Sequence, residues 1–213
     1  QKKGPHKKYT ILEARNAVGG TWSLFNYPGI RSDSDMFTFG YRFKPWQDPQ
    51  AISDGPSILN YLKETVSENK IDEHIRFNHR VLEANWNSSN KQWEIQAETP
   101  DGPKLFHANF LYMCSGYYSY EQAHRPEFQG ESNFEGKIVH PQFWPESMDY
   151  RGKQVVIVGS GATAVTLVPA MAKNASKVTM LQRSPSYVLS LPNENKFYKK
   201  LNAIFPTRWA FRV

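Results

Sequence analysis

The chain has 213 residues, 39% of them hydrophobic and 14% aromatic, with 26 Lys and Arg against 20 Asp and Glu for a formal net charge of +6. That length holds one sizeable core or parts of two domains, and no apolar run approaches the roughly 20 residues that cross a bilayer, so a soluble protein with no transmembrane segment is expected. A single cysteine, Cys114, excludes an internal disulfide framework and suits a reducing, cytoplasmic setting.

The positive charge is dispersed. Lys2, Lys3, Lys7 and Lys8 form one basic cluster, but no helix-length stripe of Lys and Arg with stacking aromatics follows it, so a solvated basic surface is expected and nucleic acid is not. Residues 1–8 are polar and lack both a methionine and the apolar core of a signal peptide, and the sequence is expected to start inside a longer protein. Tyr9 to Leu12 reads as a buried strand, with Glu13 at its end, where the second strand of a dinucleotide unit places the acid that bonds adenosine ribose hydroxyls. The first strand and GxGxxG turn of that unit, due about 20 residues earlier, are absent.

Gly19-Gly20-Thr21-Trp22, Tyr27-Pro28-Gly29 and Asp33 follow, as turn signals around aromatics. Asp54 to Asn69 carries Ile58, Leu59, Leu62 and Val66 at helical spacing, with Asp54 as N-cap and Asn69 near the stop, and predicts a core helix. Arg76 to Glu83, Gln92 to Ala97 and Leu105 to Cys114 predict strands of a small antiparallel excursion, with turns at Asn87–Asn90 and Pro100–Gly102. The last of them, Phe110 to Met113, predicts a buried strand ending in a Cys114-Ser115-Gly116 turn at a ligand-binding sheet edge.

Lys153 to Val158 is a β-branched strand, and Gly159, Gly161 and Ala164 follow it in GxGxxA spacing, with Ser160, Ala162 and Thr163 between. The first glycine permits the turn, Gly161 admits a pyrophosphate to the backbone, and Ala164 lets helix and strand pack closely, with the phosphates on the helix N-terminus. A small-residue helix, Ala162 to Ala172, and a strand, Val178 to Leu181, complete the unit. Gln182-Arg183-Ser184 stands where a ribose acid would, and an arginine there suits the 2′-phosphate of NADP, whereas Glu13 suits the hydroxyl of FAD. Phe197 to Val213 is expected to be a connecting segment. No histidine or cysteine spacing supports a metal site, and no GxSxG elbow supports a serine nucleophile. The N-x-S patterns at Asn87 and Asn174 carry no expectation.

Immediately before the glycine turn, Phe134, Gly136, His140, Trp144 and Pro145 fall in the spacing FxGxxxHxxxWP. This resembles the fingerprint of the Baeyer–Villiger monooxygenases, class B flavoenzymes that insert an oxygen atom beside a carbonyl. GTWSLFNYPGIRSD resembles a second signature of the same family, and YPGIRSDSDMFTFGYRFKPW and VTMLQRSPSYV bring the chain closest to the subgroup that activates thioamide prodrugs. The resemblance implies an α/β fold of two Rossmann-like, three-layer dinucleotide-binding domains: an incomplete FAD domain with its linker over residues 1–148, and the first part of an NADP domain over 149–213. It implies FAD and NADPH as cofactors, O2 and a ketone or sulfide as substrates, and no metal. By that resemblance Glu13, Gly20, Thr21, Trp22, Asp33 and Val81 border FAD, with Asp33 the catalytic residue in this stretch. Arg31, Ser32, Gly159, Ser160, Gly161, Ala162, Thr163, Ala164, Arg183 and Ser184 meet NADP, and His140 belongs to domain coupling. The family arginine that stabilises the oxygenated flavin falls beyond Val213, so the chain by itself is expected to be an inactive fragment. Two alternatives stand: a flavin monooxygenase that oxygenates nitrogen or sulfur, whose related motif ends in Phe or Tyr where Trp144 stands here, and a non-catalytic NADP-binding module.

Overall fold

A computed structural model describes residues 7–190, 192–194, 200 and 204. In chain order the elements are β1 (Ile11–Leu12), α1 (Thr21–Leu24), α2 (Met36–Phe39), α3 (Gly55–Glu68), β2 (Ile75–Arg76), β3 (Arg80–Asn87), β4 (Gln92–Thr99), β5 (Gly102–Ala108), β6 (Gln154–Val158), α4 (Ala162–Met171) and β7 (Lys177–Leu181). They form two compact units, one of residues 1–20 and 62–120, the other of 21–61 and 121–213. The division departs from the expected boundary at residue 148: residues 21–61 belong with the second unit. The expected connecting segment from Phe197 lies, apart from Lys200 and Ile204, outside the described residues.

In the first unit β3, β4 and β5 make an antiparallel meander. Its apolar face is set by alternation along β4, where Ile95, Ala97 and Thr99 are buried and Gln96 and Glu98 face solvent. The predicted turns hold. Asn87 Oδ1 accepts from the N–H groups of Ser89 and Asn90, and Thr99 Oγ1 donates to the Gly102 carbonyl. The predicted strand from Arg76 to Glu83 is broken into β2 and β3, because Asn78 takes a positive φ of 56° and turns the chain.

Two expectations for this unit fail. Tyr9 to Leu12 is a two-residue strand with Ile11 39% exposed, paired in parallel with β2 alone. Phe110 to Met113 is not a strand: Phe110, Tyr112 and Met113 are 77%, 78% and 68% exposed. An apolar strand of this kind needs neighbours to bond its backbone and cover its faces, and among the described residues it has none.

The second unit is built on β6, α4 and β7, a parallel βαβ unit in which Val155 to Ile157 stand beside Val178 to Met180. Val155, Ile157, Val178 and Met180 face α4, whose Ala164, Leu167 and Met171 are buried with Phe25 and Tyr27, two rings in edge contact at 6.1 Å. Trp144 and Tyr150 pack against the same cluster. The expected three-layer arrangement is not completed among the described residues: α4 covers one face of the pair, and on the other Val156, Val158 and Leu181 are exposed.

Gly29 joins residues 21–61 to this core. Its φ is +81°, and a Cβ there would lie 2.5 Å from the Thr166 carbonyl oxygen and 2.6 Å from Ala170 Cβ. The Tyr27-Pro28-Gly29 turn therefore lies directly on α4, with no room for a side chain. The predicted helix is α3, shortened by one residue at each end; the Asp54 carboxylate accepts from Ser57 N–H at 2.8 Å and Asn69 Nδ2 donates to the Thr65 carbonyl.

Candidate functional site

The glycine turn leads directly from β6 into α4. Gly159 has a φ of +120°, a conformation open to glycine and costly for other residues, and its N–H donates to Leu181 O, which holds the turn against the end of β7. Gly161 is the N-cap of α4 in an extended conformation, and no side chain caps the helix. A Cβ at Gly159 or Gly161 would meet nothing within 4 Å. Ala164, one turn in, is buried against β6. The first turn of a ten-residue helix thus has no side-chain cap and open space beside its glycines, and such a helix start matches an anion such as a pyrophosphate.

Around the turn, Ser160 Oγ and Ser186 Oγ share a hydrogen bond of 2.8 Å. Thr163 is half-buried and Ala162 exposed. Arg183 and Ser184 are exposed just beyond β7, and Arg183 has no ion-pair partner among the described residues. Arg31 and Ser32 are placed elsewhere in this unit. Ser32 is only 4% exposed, with its Oγ accepting from Ser53 N–H at 3.1 Å, so that hydroxyl is engaged inside the protein. Arg31 lines a cleft beside the second half of α4.

Of the residues expected around a flavin, Glu13, Gly20 and Val81 belong to the first unit and Thr21, Trp22 and Asp33 to the second. Glu13 follows β1, with its N–H donating to Arg76 O and its carbonyl accepting from His79 N–H. Its Oε1 accepts from Arg15 N–H at 2.9 Å, and its Oε2 has no partner among the described residues. One carboxylate oxygen is therefore fixed and the other is open to a donor. The Gly20 carbonyl accepts from Arg15 Nη1, and that guanidinium lies over the Tyr120 ring at 5.4 Å. Val81 is exposed on β3 opposite Ala97, beside a bulge. Thr21 opens α1, Trp22 meets Phe39 edge-on at 6.5 Å, and Asp33 is exposed.

In the FxGxxxHxxxWP run, His140 is the N-cap of a 3-10 turn, Pro141–Phe143, where its Nδ1 accepts from Gln142 N–H at 3.2 Å. Trp144 meets Tyr150 edge-on at 6.3 Å, the Pro145 carbonyl accepts from Met148 N–H, and the Phe134 ring lies over Gly136. Burial, and then the nearby charges of Arg125 and His124, lower the His140 pKa. The neutral ring is the form that accepts at Nδ1. Because the folded pKa lies below the unfolded value near 6.5, the unfolded chain binds more protons, and stability falls as pH drops through and below that value. His140→Asn keeps a side-chain acceptor without titration and is expected to flatten the fall in melting temperature between about pH 7 and 5. An unchanged pH profile would remove His140 as its source.

The sequence profile of the FMO-like family, flavin-binding monooxygenase-like, matches residues 32–211. The chain belongs to this flavin-binding monooxygenase-like family. Among its relatives, "FAD-containing monooxygenase EthA" of Mycolicibacterium smegmatis is 54% identical over 98% of this chain and 44% of its own length. "Probable FAD-binding monooxygenase AlmA" of Acinetobacter baylyi is 49% identical over 100% of the chain and 43% of its own length. The chain thus spans less than half the length of the curated relatives it matches. Among solved structures, OTEMO in complex with FAD and NADP superposes with a TM-score of 0.78 at 26% identity, over 99% of this chain and 40% of that one. Oxidized steroid monooxygenase bound to NADP gives 0.77 at 28% identity, over 94% and 39%.

Among the described residues no group of His, Cys, Asp and Glu is placed to hold a metal ion, and no helix is long and apolar enough to cross a membrane. Sequence reasoning missed the helix α2, although its signal was present: Asp35 Oδ1 accepts from the N–H groups of Phe37 and Thr38. It also missed the Arg31 cleft, whose walls are far apart in the chain.

Proposed function

We propose that the protein is an FAD- and NADPH-dependent monooxygenase that inserts one atom of O2 beside a ketone carbonyl, a Baeyer–Villiger oxidation. The observation that carries this reading is the FxGxxxHxxxWP run set directly ahead of an open, uncapped glycine turn. The family membership and the relatives that hold FAD and NADP support it.

In this reading the amides that open α4, with Gly159 and Gly161 behind them, take the NADPH pyrophosphate, and Ser160, Ala162 and Thr163 line its approach. Arg183 and Ser184 take the 2′-phosphate, the guanidinium as a two-pronged donor. Glu13 Oε2 accepts from the FAD ribose, Gly20 and Val81 offer backbone to that nucleotide, and Thr21, Trp22 and Asp33 border the flavin. Asp33 is the catalytic residue we assign in this stretch, an exposed carboxylate among the residues that would border the flavin. FAD, when bound, supplies the O2 chemistry after reduction by NADPH. The remaining residues bind and orient.

The test is NADPH consumption with product analysis on the intact protein with FAD, offering a ketone and a sulfide side by side. Ester is expected from the ketone. Sulfoxide without ester would move the reading to a heteroatom oxygenase, and no flavin binding would overturn it. Arg183→Gln is expected to raise KM for NADPH at least about tenfold while leaving NADH nearly unchanged, the loss of one charged hydrogen-bonding partner. Equal loss with both nucleotides would deny Arg183 that role.

A further inference from the structure

Two bonds tie the segment after β7 to the glycine turn. Gly159 N–H donates to the Leu181 carbonyl at 2.8 Å, and Ser160 Oγ shares a hydrogen bond of 2.8 Å with Ser186 Oγ, 26 residues further on. Gln182, Arg183, Ser184 and Pro185 therefore form a loop whose two ends are fastened to adjacent residues of the turn, with Arg183 and Ser184, both exposed, at its middle. Among the described residues from Arg183 to Ser190, Ser186 alone is hydrogen-bonded. Without that bond the loop would be held at Leu181 only. Pro185 stiffens the returning limb, because its ring fixes its own φ and disfavours the helical region for Ser184. Where Ser186 is pinned, Ser184 and Arg183 are constrained with it.

We propose that Ser186 is a positioning residue for NADPH selection: its bond to Ser160 holds the Arg183–Ser184 loop beside the glycine turn, ready for the 2′-phosphate when the pyrophosphate seats on α4. This rests on the placement of NADPH given under the proposed function and adds a residue that touches no part of the nucleotide. A guanidinium on a loose segment gives back part of each contact as ordering entropy when the phosphate binds, and a tethered one has lost that freedom beforehand. NAD carries no group for the loop to hold. Loosening the loop therefore costs the phosphorylated nucleotide alone, whereas damage to the glycine turn costs both.

The test is calorimetric titration of the intact, FAD-loaded protein with NADP+ and with NAD+. Ser186→Ala is expected to weaken NADP+ about fivefold, the loss of one hydrogen bond, and to leave NAD+ unchanged. Ser186→Thr, which keeps the hydroxyl, is expected to restore most of the affinity. In a Ser160→Ala background the tie is already broken, so Ser186→Ala is expected to cost nothing further. Ser186 is exposed in an irregular segment, and circular dichroism should show its variants folded. Undiminished NADP+ affinity in Ser186→Ala, or an equal loss with NAD+, would overturn the proposal. So would a full fivefold loss repeated in the Ser160→Ala background, because Ser186 would then act without Ser160. Arg183→Gln, titrated alongside, separates this inference from the reading beneath it. If Arg183→Gln loses NADP+ selectively and Ser186→Ala does not, only the role of Ser186 falls; if neither discriminates, the placement of NADPH at this turn falls with it.

Discussion

Gly29→Ala is expected to lower the melting temperature of the second unit by about 10 °C or more, or to prevent its folding. Two costs add at this position. A non-glycine residue at a φ of +81° costs roughly 1–2 kcal/mol, and the new Cβ would stand 2.5 Å from the Thr166 carbonyl oxygen and 2.6 Å from Ala170 Cβ. Overpacking of that kind costs about 1–3 kcal/mol more, and the obstacle is helix backbone, which cannot swing aside. Thermal and urea denaturation followed by circular dichroism would measure it. Adding Ala170→Gly removes one obstacle and leaves the other, together with the backbone strain, so only part of the loss should return. Wild-type melting in Gly29→Ala would show that the turn does not lie against α4 as described.

Gly161→Asp is expected to act in the opposite sense on folding and to abolish nucleotide binding. The residue is an uncapped N-cap with extended backbone and open space where a Cβ would go, so an aspartate fits without strain and caps the first amides of α4. Stability should rise by about 0.5 kcal/mol from the cap and the helix dipole together. The same carboxylate occupies the donors a pyrophosphate needs and repels it, and NADPH affinity should fall about a hundredfold or more. Fluorescence titration with NADPH beside a melting curve reads both effects at once. Tight NADPH binding in the variant would move the phosphates away from this turn.

The two substitutions differ in how far each was legible in the sequence. The GxGxxA turn is local chemistry: spacing along a few residues fixes where the backbone opens and where the helix begins, and β6, α4 and β7 fall within a residue or so of expectation. The caps of α3 were readable for the same reason. Tyr27-Pro28-Gly29 was readable only as a turn. What it touches, Thr166 and Ala170, lies more than 130 residues on, and spacing carries no information about that contact. Burial of small polar residues is equally silent: nothing in the sequence shows that the Ser32 hydroxyl is closed inside, accepting from Ser53 N–H. Phe110 to Met113 shows the converse limit. Its composition is that of a core strand, but composition reports what a segment can bury and not whether partners stand beside it.

The β6 and β7 pair has a colloidal consequence. Val155 to Val158 is a β-branched run on a two-stranded ribbon with one covered face, and Val156 at 63% and Val158 at 57% exposure line the other. Among the described residues neither strand has an outer neighbour, so within this stretch the outer N–H and C=O groups of each stand beside an apolar stripe for a further strand to pair. Wherever such an edge is left without a further strand, it is a template for intermolecular cross-β stacking. A charged residue at position 156 should keep preparations clear at protein concentrations where the natural valine lets them turn cloudy, without touching the face that α4 covers.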